Sequence, residues 1–440
     1  MTPRKPATPF CAIDFGTSNS AIAVSPGGAH MELVDVEMGQ RTMPTAVFYQ
    51  VEGRAAHQEP LRLYGREALA AYVEGHEGRL MRSMKSVLGS TLAGQQTEVG
   101  SGHMVAYLDV VAGYLGHLKK LAEASAGAPL QRAVLGRPVF FVDDEPERDA
   151  QAQQALEEAA RRVGFSEISF QYEPIAAALD YENTATKEEL VLVADIGGGT
   201  SDFSLVRVGP ERRKRLDRKA DILANHGVHV AGTDFDRQVE LAAILPACGY
   251  KGLGPQRPGG APPREVPSKV YFDLATWHLI NTVYSAPRVH ELRQMKSFYG
   301  DPWQHQRLMT VVEDHLGHAL LGQAEAAKIA VASGGATRID LGRLESGLAS
   351  SLDEAQAVQA LDTELQRIVD AAGETLRAAG VRPQQVDVLY FTGGSTGFEP
   401  LVERIAAAAP GAKAIHGDRH ASVAAGLGVH AQRLYAGGQG

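Results

Sequence analysis

Short apolar runs and longer amphipathic stretches alternate along this chain, and the alternation predicts an α/β protein. Two pairs of apolar runs are distinctive because a glycine-containing loop separates the members of each pair. The first pair covers residues 10–13 and 21–24, and the second covers residues 190–194 and 203–208. No long helical pattern follows either loop, so each pair predicts a β-hairpin.

Further strands and helices complete this outline. Strands are predicted at residues 133–138, 169–174 and 386–391, and helices at residues 143–163, 175–179, 270–284, 308–333 and 398–409. The alanine-rich segment 175–179 permits close approach to another element and suits a hinge between lobes, although an ordinary buried helix has the same composition. Residues 251–268 are rich in glycine and proline and predict a loop or linker.

The two hairpin loops share one design, DFGTS at residues 14–18 and DIGGGTSD at residues 195–202. Glycines remove the side chains that would keep a backbone away from a phosphate, and successive N–H groups can then bind the anion. The hydroxyls of Thr17, Ser18 and Thr200 add donors. Two such loops predict that one polyphosphate is bound from both sides, although either loop alone would suit an ordinary tight turn.

An aspartate stands at the start of each loop, Asp14 in the first and Asp195 in the second. A carboxylate beside a phosphate is repelled unless a cation lies between them. These residues therefore indicate Mg²⁺ held through oxygen ligands or through its waters. The helix that a dinucleotide-binding turn needs does not follow either loop, and the sequence has no G-x-x-x-x-G-K-[ST] motif.

A third glycine-rich turn, TGGSTG at residues 392–397, lies between the predicted strand 386–391 and the predicted helix 398–409. A strand, two glycines and a helix suit close backbone approach to a ribose or an adenine as well as to a phosphate. A plain turn between a strand and a helix fits the same residues equally well.

Composition and charge narrow the class of protein. The 440 residues are 44% hydrophobic and 22% charged, which is typical of a globular chain of two or three domains. The net charge of −9 argues against general binding to nucleic acid or to an anionic membrane. One basic run, at residues 212–215, follows a predicted strand and is interpreted as a solvated hairpin tip rather than as a docking patch.

The two cysteines, Cys11 and Cys248, are too few and too far apart for a disulfide framework or a zinc site, and both are interpreted as reduced core thiols. The sequence shows neither a signal-peptide core nor an apolar stretch of the ~18–20 residues that a membrane helix needs. We therefore expect a cytoplasmic protein. The large side chains of Tyr271, Phe272 and Trp277 are expected in the core.

Five strings carry a resemblance to a known family: IDFGTSNS at residues 13–20, YEPIAAALDY at 172–181, ADIGGGTSDFSLV at 194–206, GTDFD at 232–236 and FTGGST at 391–396. Together they resemble the ATPase domain of the DnaK-type heat-shock chaperones, within the actin-like ATPase superfamily. The resemblance spans nearly the whole chain. Within the family the chain is most similar to the short YegD-type members, which consist of little beyond the ATPase domain.

The resemblance implies an α/β fold of two actin-like, ribonuclease H-like lobes with a nucleotide cleft between them. Lobe I would cover residues 1–185, with an inserted subdomain at about 38–115. Lobe II would cover residues 186–440, with an inserted subdomain at about 232–320.

Residue roles follow from the same resemblance. Asp14 and Asp195 would organise Mg²⁺ and its waters, and Asp202 would help to hold a monovalent cation such as K⁺. Lys85 would position the attacking water and the γ-phosphate, although without the resemblance it would be an ordinary lysine of an amphipathic helix. The expected catalytic set is Lys85, Glu173, Asp195 and Thr200. Contacts to ATP or ADP are expected from Gly16, Thr17, Ser18, Gly197, Gly198, Gly199, Thr200, Gly232, Glu325, Lys328, Gly393, Gly394 and Ser395.

Several features depart from the family pattern. Chaperone ATPases of this family place two arginines on the faces of adenine, whereas this chain has Ile329 and Gly397 there, so we expect weaker ATP affinity or looser base selectivity. His420 stands where an acidic residue is usual. The sequence runs only to RLYAGGQG after its last helical pattern, without the linker, β-sandwich and helical lid of DnaK. Peptide-clamp chaperoning is therefore not expected.

The sequence favours a slow Mg²⁺-dependent ATPase whose lobes close on ATP and that acts as a chaperone-like switch on an unidentified client or co-chaperone. One alternative is a nucleotide-binding switch with little turnover, and another is an actin-like filament former or a small-molecule kinase. A kinase would need an aspartate placed to deprotonate a substrate hydroxyl, and no candidate stands out beyond the metal-site acids. No nucleic-acid or membrane partner is expected.

Overall fold

The computed structural model describes residues 9–26, 30–55, 57–142, 145–418 and 421–435. Its strands are β1 (Phe10–Phe15), β2 (Asn19–Val24), β3 (Glu32–Leu33), β4 (Met43–Pro44), β5 (Ala46–Gln50), β6 (Leu61–Tyr64), β7 (Gly78–Arg82), β8 (Gln96–Glu98), β9 (Met104–Ala106), β10 (Arg132–Arg137), β11 (Glu167–Tyr172), β12 (Glu189–Ile196), β13 (Ser201–Val208), β14 (Ile222–Val228), β15 (Ala336–Asp340), β16 (Ala349–Asp353), β17 (Val388–Thr392) and β18 (Lys413–His416). Its α-helices are α1 (Gly65–Val73), α2 (Lys85–Leu88), α3 (Tyr107–Ala126), α4 (Pro146–Arg162), α5 (Glu173–Glu182), α6 (Gly232–Val239), α7 (Lys269–Leu274), α8 (Ile280–Val283), α9 (Ala286–Gln294), α10 (Pro302–Glu313), α11 (Gly317–Ala330), α12 (Glu354–Ala378), α13 (Glu399–Ala408) and α14 (Ser422–Tyr435).

The two large sheets share one topology. The first runs in the order β11-β10-β1-β2-β3, with β4 also paired to β2, and the second runs in the order β14-β13-β12-β17-β18. In the first sheet, β10 and β11 run parallel to β1, and β3 lies antiparallel beyond β2. In the second sheet, β17 and β18 run parallel to β12, and β14 lies antiparallel beyond β13. Lobe I is built on the first sheet and lobe II on the second. This arrangement confirms the predicted two-lobed α/β fold, while the division at residues 185 and 186 stays a prediction.

Strands β1 and β12 lie at the centre of their sheets, and this position explains why they are apolar. A strand that is covered on both faces appears in the sequence as an unbroken apolar run. Every residue of β1 is buried except Asp14, and Asp195 is only half-buried among the buried residues at the end of β12. The sequence therefore predicted both hairpins correctly, and each central strand carries one carboxyl beside its loop.

Helices α5 and α14 pack between the two sheets. Their buried residues join strands of both lobes in one apolar cluster that includes Ile175, Val193 and Leu427. At the closest approach, a Cβ on Gly426 would lie 1.8 Å from the carbonyl oxygen of Ala176. The alanine-rich helix that the sequence predicted is thus in backbone contact with α14, and its place between the lobes is the one expected of a hinge.

The helical regions of lobe II differ from the sequence prediction in two places. The stretch 308–333 forms α10 and α11 rather than one helix, because His315 adopts a left-handed backbone with φ of 54° between them. The stretch 270–284 forms the short helices α7 and α8. The predicted loop 251–268 is confirmed as irregular, with one helical turn at Pro258–Gly260 and an isolated bridge between Leu253 and Glu265.

The side chains of α7 divide between core and surface. Tyr271 is fully buried, and its hydroxyl hydrogen-bonds the carbonyl oxygen of Cys248 at 2.9 Å. The expectation that Phe272 is also buried was wrong, since it is 37% exposed. Successive helical residues point about 100° apart, so a short helix that buries Tyr271 turns its neighbour outwards.

Both cysteines are buried, as the sequence predicted. Burial raises the pKa of the Cys11 and Cys248 thiols well above the usual range. Among the described residues, no helix has both the length and the apolar character that crossing a membrane requires.

We expect Gly426→Ala to destabilise the protein by about 1–3 kcal/mol or more, because the new methyl group would collide with a backbone carbonyl that cannot move aside easily. The measurement is urea unfolding followed by circular dichroism. Gly373→Ala in α12 is the matched control, since nothing lies within 4 Å of its Cβ position. It should be neutral or stabilising by up to about 1 kcal/mol. Equal midpoints for the two variants would contradict the proposed backbone contact.

Candidate functional site

The two glycine loops face each other across the gap between the sheets. The first connects β1 to β2, and the second connects β12 to β13. A Cβ placed on Gly198 would lie 3.1 Å from the Ser18 hydroxyl oxygen, and one on Gly199 would lie 3.9 Å from it. The structure therefore brings the residues expected at the phosphates, including Gly16, Thr17, Gly197 and Thr200, into one region.

The first loop is held in place by Thr45, which follows β4. The Thr45 hydroxyl donates a hydrogen bond of 2.8 Å to the carbonyl oxygen of Gly16, and its backbone N–H donates one of 2.9 Å to that of Ser18. A Cβ on Gly16 would lie only 2.1 Å from the carbonyl oxygen of Asn19. The tight turn therefore requires glycine at this position.

The second loop is held by two other parts of lobe II. Thr233 donates to the carbonyl oxygen of Gly198 through both its backbone N–H and its hydroxyl, each at 2.8 Å. The Ser395 hydroxyl donates to the carbonyl oxygen of Gly197 at 2.6 Å. A Cβ on Gly232 would lie 2.6 Å from that hydroxyl oxygen. The third glycine turn and the start of α6 thus fix the second loop.

Gly393 precedes a short helical turn at Gly394–Gly397 and has a φ of 86°. A Cβ there would lie 2.4 Å from the carbonyl oxygen of Ile196 and 2.8 Å from the Asp195 Oδ1 atom. Only glycine combines this left-handed backbone with so close an approach. The third turn is consequently packed against the second loop, as a shared ligand would require.

Three aspartates concentrate negative charge at the loops. Burial, together with the neighbouring carboxyls Asp202 and Glu173, raises the pKa of Asp195 to about 7. Burial and Glu173 also raise the pKa of Asp14, against the opposing effect of Lys85. Asp202 is more exposed than these two, and Thr200 hydrogen-bonds its side chain. Carboxyls placed in this way favour a bound cation.

Lys85 lies opposite these acids and pairs with Glu173. The Nζ atom lies 2.5 Å from the Glu173 Oε1 atom, and the two side chains are 10% and 16% exposed. Although burial alone would lower it, the pKa of Lys85 is raised because the Glu173 and Asp14 carboxylates favour the ammonium. The side chain of Glu173 reaches this position beside Gly136, where a Cβ would lie 3.2 Å from the Glu173 Cγ atom.

These carboxyls offer oxygen ligands to a divalent cation. Among the described residues, no three His, Cys, Asp or Glu side chains come together closely enough to coordinate one metal ion. Asp14 and Asp195 nonetheless supply oxygen donors whose raised pKa values a positive ion would lower again. The residues fit a hydrated Mg²⁺ that takes its remaining ligands from water and phosphate.

Helix α11 carries Glu325 and Lys328, two residues that the resemblance places at the nucleoside. The Lys328 Nζ atom lies 2.6 Å from the Asp236 Oδ1 atom, and burial raises the pKa of Asp236 to about 6 despite this pairing. Glu325 is exposed one helical turn earlier. Ile329 is 62% exposed, so an apolar side chain stands open where the resemblance leads us to expect the base. His420 lies outside the described residues.

Sequence reasoning missed Thr45, Gly136 and Asp236. The last lies in the quoted string GTDFD, so its carboxyl was a signal that could have been paired with Lys328. Thr45 and Gly136 act through contacts with distant residues, and nothing in their local sequence marks them.

Known proteins are similar to part of this chain. A family model described as "Hsp70 protein" matches residues 10–242. The chaperone protein DnaK of Elusimicrobium minutum is 32% identical over 232 residues, which is 52% of this chain and 33% of that protein. DnaK of Thermosipho melanesiensis is 32% identical over 231 residues, 52% of this chain and 34% of its own. The matched stretch thus spans about a third of the curated relatives.

An aromatic cluster joins the two lobes beyond the loops. Tyr72 of α1 stacks on Trp277 of the α7–α8 connection, with ring centroids 4.9 Å apart, and Trp277 meets His318 of α11 edge-on at 5.1 Å. The Arg82 guanidinium lies 4.3 Å from the Trp277 ring centroid. Burial, with the positive charge of Arg82, lowers the pKa of His318 to about 4. We call these four residues the cross-lobe cluster, and they join α1 and β7 to the α7–α8 connection and α11.

We expect Trp277→Ala to open the gap between the lobes, because Trp277 contacts Tyr72, Arg82 and His318 at once. Cysteines introduced at the exposed positions Glu74 and His278 would carry spin labels, since both native cysteines are buried. Double electron–electron resonance should then report a longer and broader distance distribution in the variant. Trp303→Ala, which removes the exposed tryptophan of α10, should leave the distribution unchanged. The same narrow distribution in the Trp277 variant would show that other contacts hold the lobes.

Proposed function

Because this chain belongs to the Hsp70 family, we propose that it binds ATP between its two lobes and hydrolyses it slowly with Mg²⁺, as a chaperone-like nucleotide switch. The observation that carries the proposal is the Lys85–Glu173 ion pair, which lies with the aspartates between two facing glycine loops. A merely binding site would need the loops but not a buried ammonium held beside them by a carboxylate.

The glycine loops would bind the phosphates of ATP with their backbone N–H groups, and the hydroxyls of Thr17, Ser18 and Thr200 would add donors. Lys85 would stabilise the charge that develops on the transferred phosphoryl group, since a fixed ammonium in a partly buried site needs little rearrangement. Glu173 would hold Lys85 in position and accept a hydrogen bond from the attacking water. Gly232, Glu325, Lys328, Gly393, Gly394 and Ser395 would surround the nucleoside.

Asp14 and Asp195 would hold Mg²⁺ through its waters, and Asp202 would help to hold a monovalent cation such as K⁺. When bound, Mg²⁺ would neutralise charge on the β- and γ-phosphate oxygens. Its charge would offset the burial and the neighbouring carboxyls that raise the pKa values of these two aspartates.

Closure of the lobes on ATP would transmit the state of the nucleotide to a client or co-chaperone. Helices α5 and α14 lie between the sheets, and the cross-lobe cluster joins the insertions at the opposite side of the site. Nucleotide-dependent movement about α5 would therefore change the distance between the insertions most. A binding switch with little turnover is the alternative, and the rate measurement below separates the two.

Single-turnover hydrolysis of Mg²⁺-ATP is the test of this function. We expect slow hydrolysis by the unsubstituted protein and a loss of about 10²–10³-fold in rate for Lys85→Ala, because one preorganised charge at the reacting group is removed. Asp195→Asn should lose a comparable amount. The exposed residues Lys120 and Asp370 provide the matched controls Lys120→Ala and Asp370→Asn, which should keep the rate.

Hydrolysis that survives both site substitutions would contradict the assigned roles. Nucleotide binding without hydrolysis above the buffer rate, measured in parallel with a fluorescent ATP analogue, would favour the binding switch. Absence of binding would overturn the nucleotide site itself.

We also expect the base-binding region to discriminate weakly between ATP and GTP. Introducing arginine at Ile329 and Gly397 together should tighten ATP binding about tenfold, since a guanidinium stacked on a base contributes about 0.5–2 kcal/mol. Calorimetric titration with ATP and GTP would measure both affinities. Ile329→Leu keeps an apolar side chain and is the control. If the double variant binds both nucleotides as before, Ile329 and Gly397 do not face the base.

A further inference from the structure

The long connection between β13 and β14, residues 209–221, concentrates positive charge on a chain whose net charge is −9. Two of its arginines are used inside the fold. The Arg218 side chain is 1% exposed and makes two hydrogen bonds to the Glu182 carboxylate, at 2.8 and 2.9 Å. Arg212 pairs with Glu188 at 2.8 Å and also with Asp221. These pairs anchor the connection to the end of α5.

Two further basic residues of the connection, Arg213 and Lys214, face a surface cavity. The cavity measures about 510 Å³ and is lined by Asn183, Arg213, Lys214, Leu216 and Arg433. Its wall therefore combines the connection, the residue that follows α5 and the last turn of α14. The interpretation of residues 212–215 as only a solvated hairpin tip does not account for this cavity.

The two arginines of the cavity are bonded to neutral groups. The Arg213 guanidinium donates to the carbonyl oxygen of Asn183 at 3.1 Å. Arg433 donates to the carbonyl oxygen of Arg213 at 2.8 Å and to the Asn183 Oδ1 atom at 3.2 Å. In the described part of the chain, neither arginine has a carboxylate within ion-pair distance, whereas Lys214 pairs with the exposed Glu211 at 2.6 Å.

Arg433 lies in a partly buried environment that leaves its charge incompletely compensated. Burial lowers the pKa of Arg433; the Glu182 carboxylate opposes this effect, and the like charges of Arg218 and Arg213 add to it. Carboxylates accept paired hydrogen bonds from guanidinium groups, and such bonds are about twice as strong as those between neutral groups. Leu216, which is 49% exposed, adds an apolar surface at the rim.

We propose that this cavity is a docking site for an acidic peptide segment of a partner protein, with carboxylates on Arg213, Arg433 and Lys214 and an apolar side chain on Leu216. The overall charge of −9 disfavours a nucleic acid, whose phosphates would meet repulsion beyond the cavity. A cavity of about 510 Å³ would admit a few side chains of a peptide, with carboxylates at its charged wall and an apolar side chain at Leu216.

Docking here would act on α5. Asn183 follows the last residue of α5, and Glu173 is its first residue, so the helix connects the cavity to the candidate catalytic centre. A bound carboxylate would compete for the arginines that now hold Asn183. This second part of the inference rests on the proposed ATPase function, whereas docking itself does not.

Fluorescence anisotropy with a labelled acidic hexapeptide of Asp, Glu and one Leu tests the docking step without any nucleotide. We expect saturable binding that weakens with salt, and a loss of about tenfold or more for Arg213→Gln and for Arg433→Gln. Arg215→Gln is the matched control, because Arg215 is exposed on the same connection but does not line the cavity, and it should bind as the unsubstituted protein does. Arg433 also forms hydrogen bonds within the fold, so the thermal stability of the Arg433→Gln variant should be measured as well. If that variant is destabilised, the result for Arg213→Gln decides the test.

Three results would overturn the proposal: equal binding of a peptide with Lys in place of Asp and Glu, unchanged affinity in both arginine variants, or inorganic phosphate or a single-stranded oligonucleotide competing as well as the acidic peptide. Single-turnover hydrolysis with saturating peptide then tests the coupling. Peptide binding without a change in rate would reject coupling through α5 and leave docking intact. Absence of hydrolysis in every sample would count against the ATPase function and not against the docking site.

Discussion

The ion pair between Lys85 and Glu173 is the interaction that makes the site possible. It joins residues 88 positions apart, one at the first position of α2 and one at the first position of α5. Without the ammonium, Glu173 would share a partly buried region with Asp14, Asp195 and Asp202, and their mutual repulsion would oppose the approach of the lobes. The positive charge of Lys85 offsets part of this repulsion. The remaining negative charge of the carboxylates favours the binding of further cations.

Hydrogen bonds to backbone groups, rather than charged side chains, fix the positions of the loops at the site. Thr45, Thr233 and Ser395 each hold a loop carbonyl, so that the loop N–H groups keep one orientation. Glycines permit the close approaches that these bonds require. The charged residues then act on a frame that is already fixed, which is the condition for electrostatic stabilisation without rearrangement.

The sequence predicted the parts of this protein that depend on local pattern. The central strands, the hairpins and the glycine loops follow from apolar runs and turn residues, and the two-lobed fold follows from their repetition. Lys85 could be assigned only through family resemblance, since its local sequence is that of any helical lysine. The splitting of the stretch 308–333 depends on the backbone of His315, and the cross-lobe cluster depends on contacts between segments far apart in the sequence. Neither leaves a periodic signal that a single sequence displays.

The contact between Gly426 and the backbone of Ala176 has a mechanical consequence. Side chains between two helices can change rotamer and let the helices slide, but here the two backbones touch without an intervening layer. This close backbone contact would oppose sliding of α5 against α14. In the lobe closure proposed above, a small rotation of this helix pair near Glu173 would become a larger displacement at residues far from the pair.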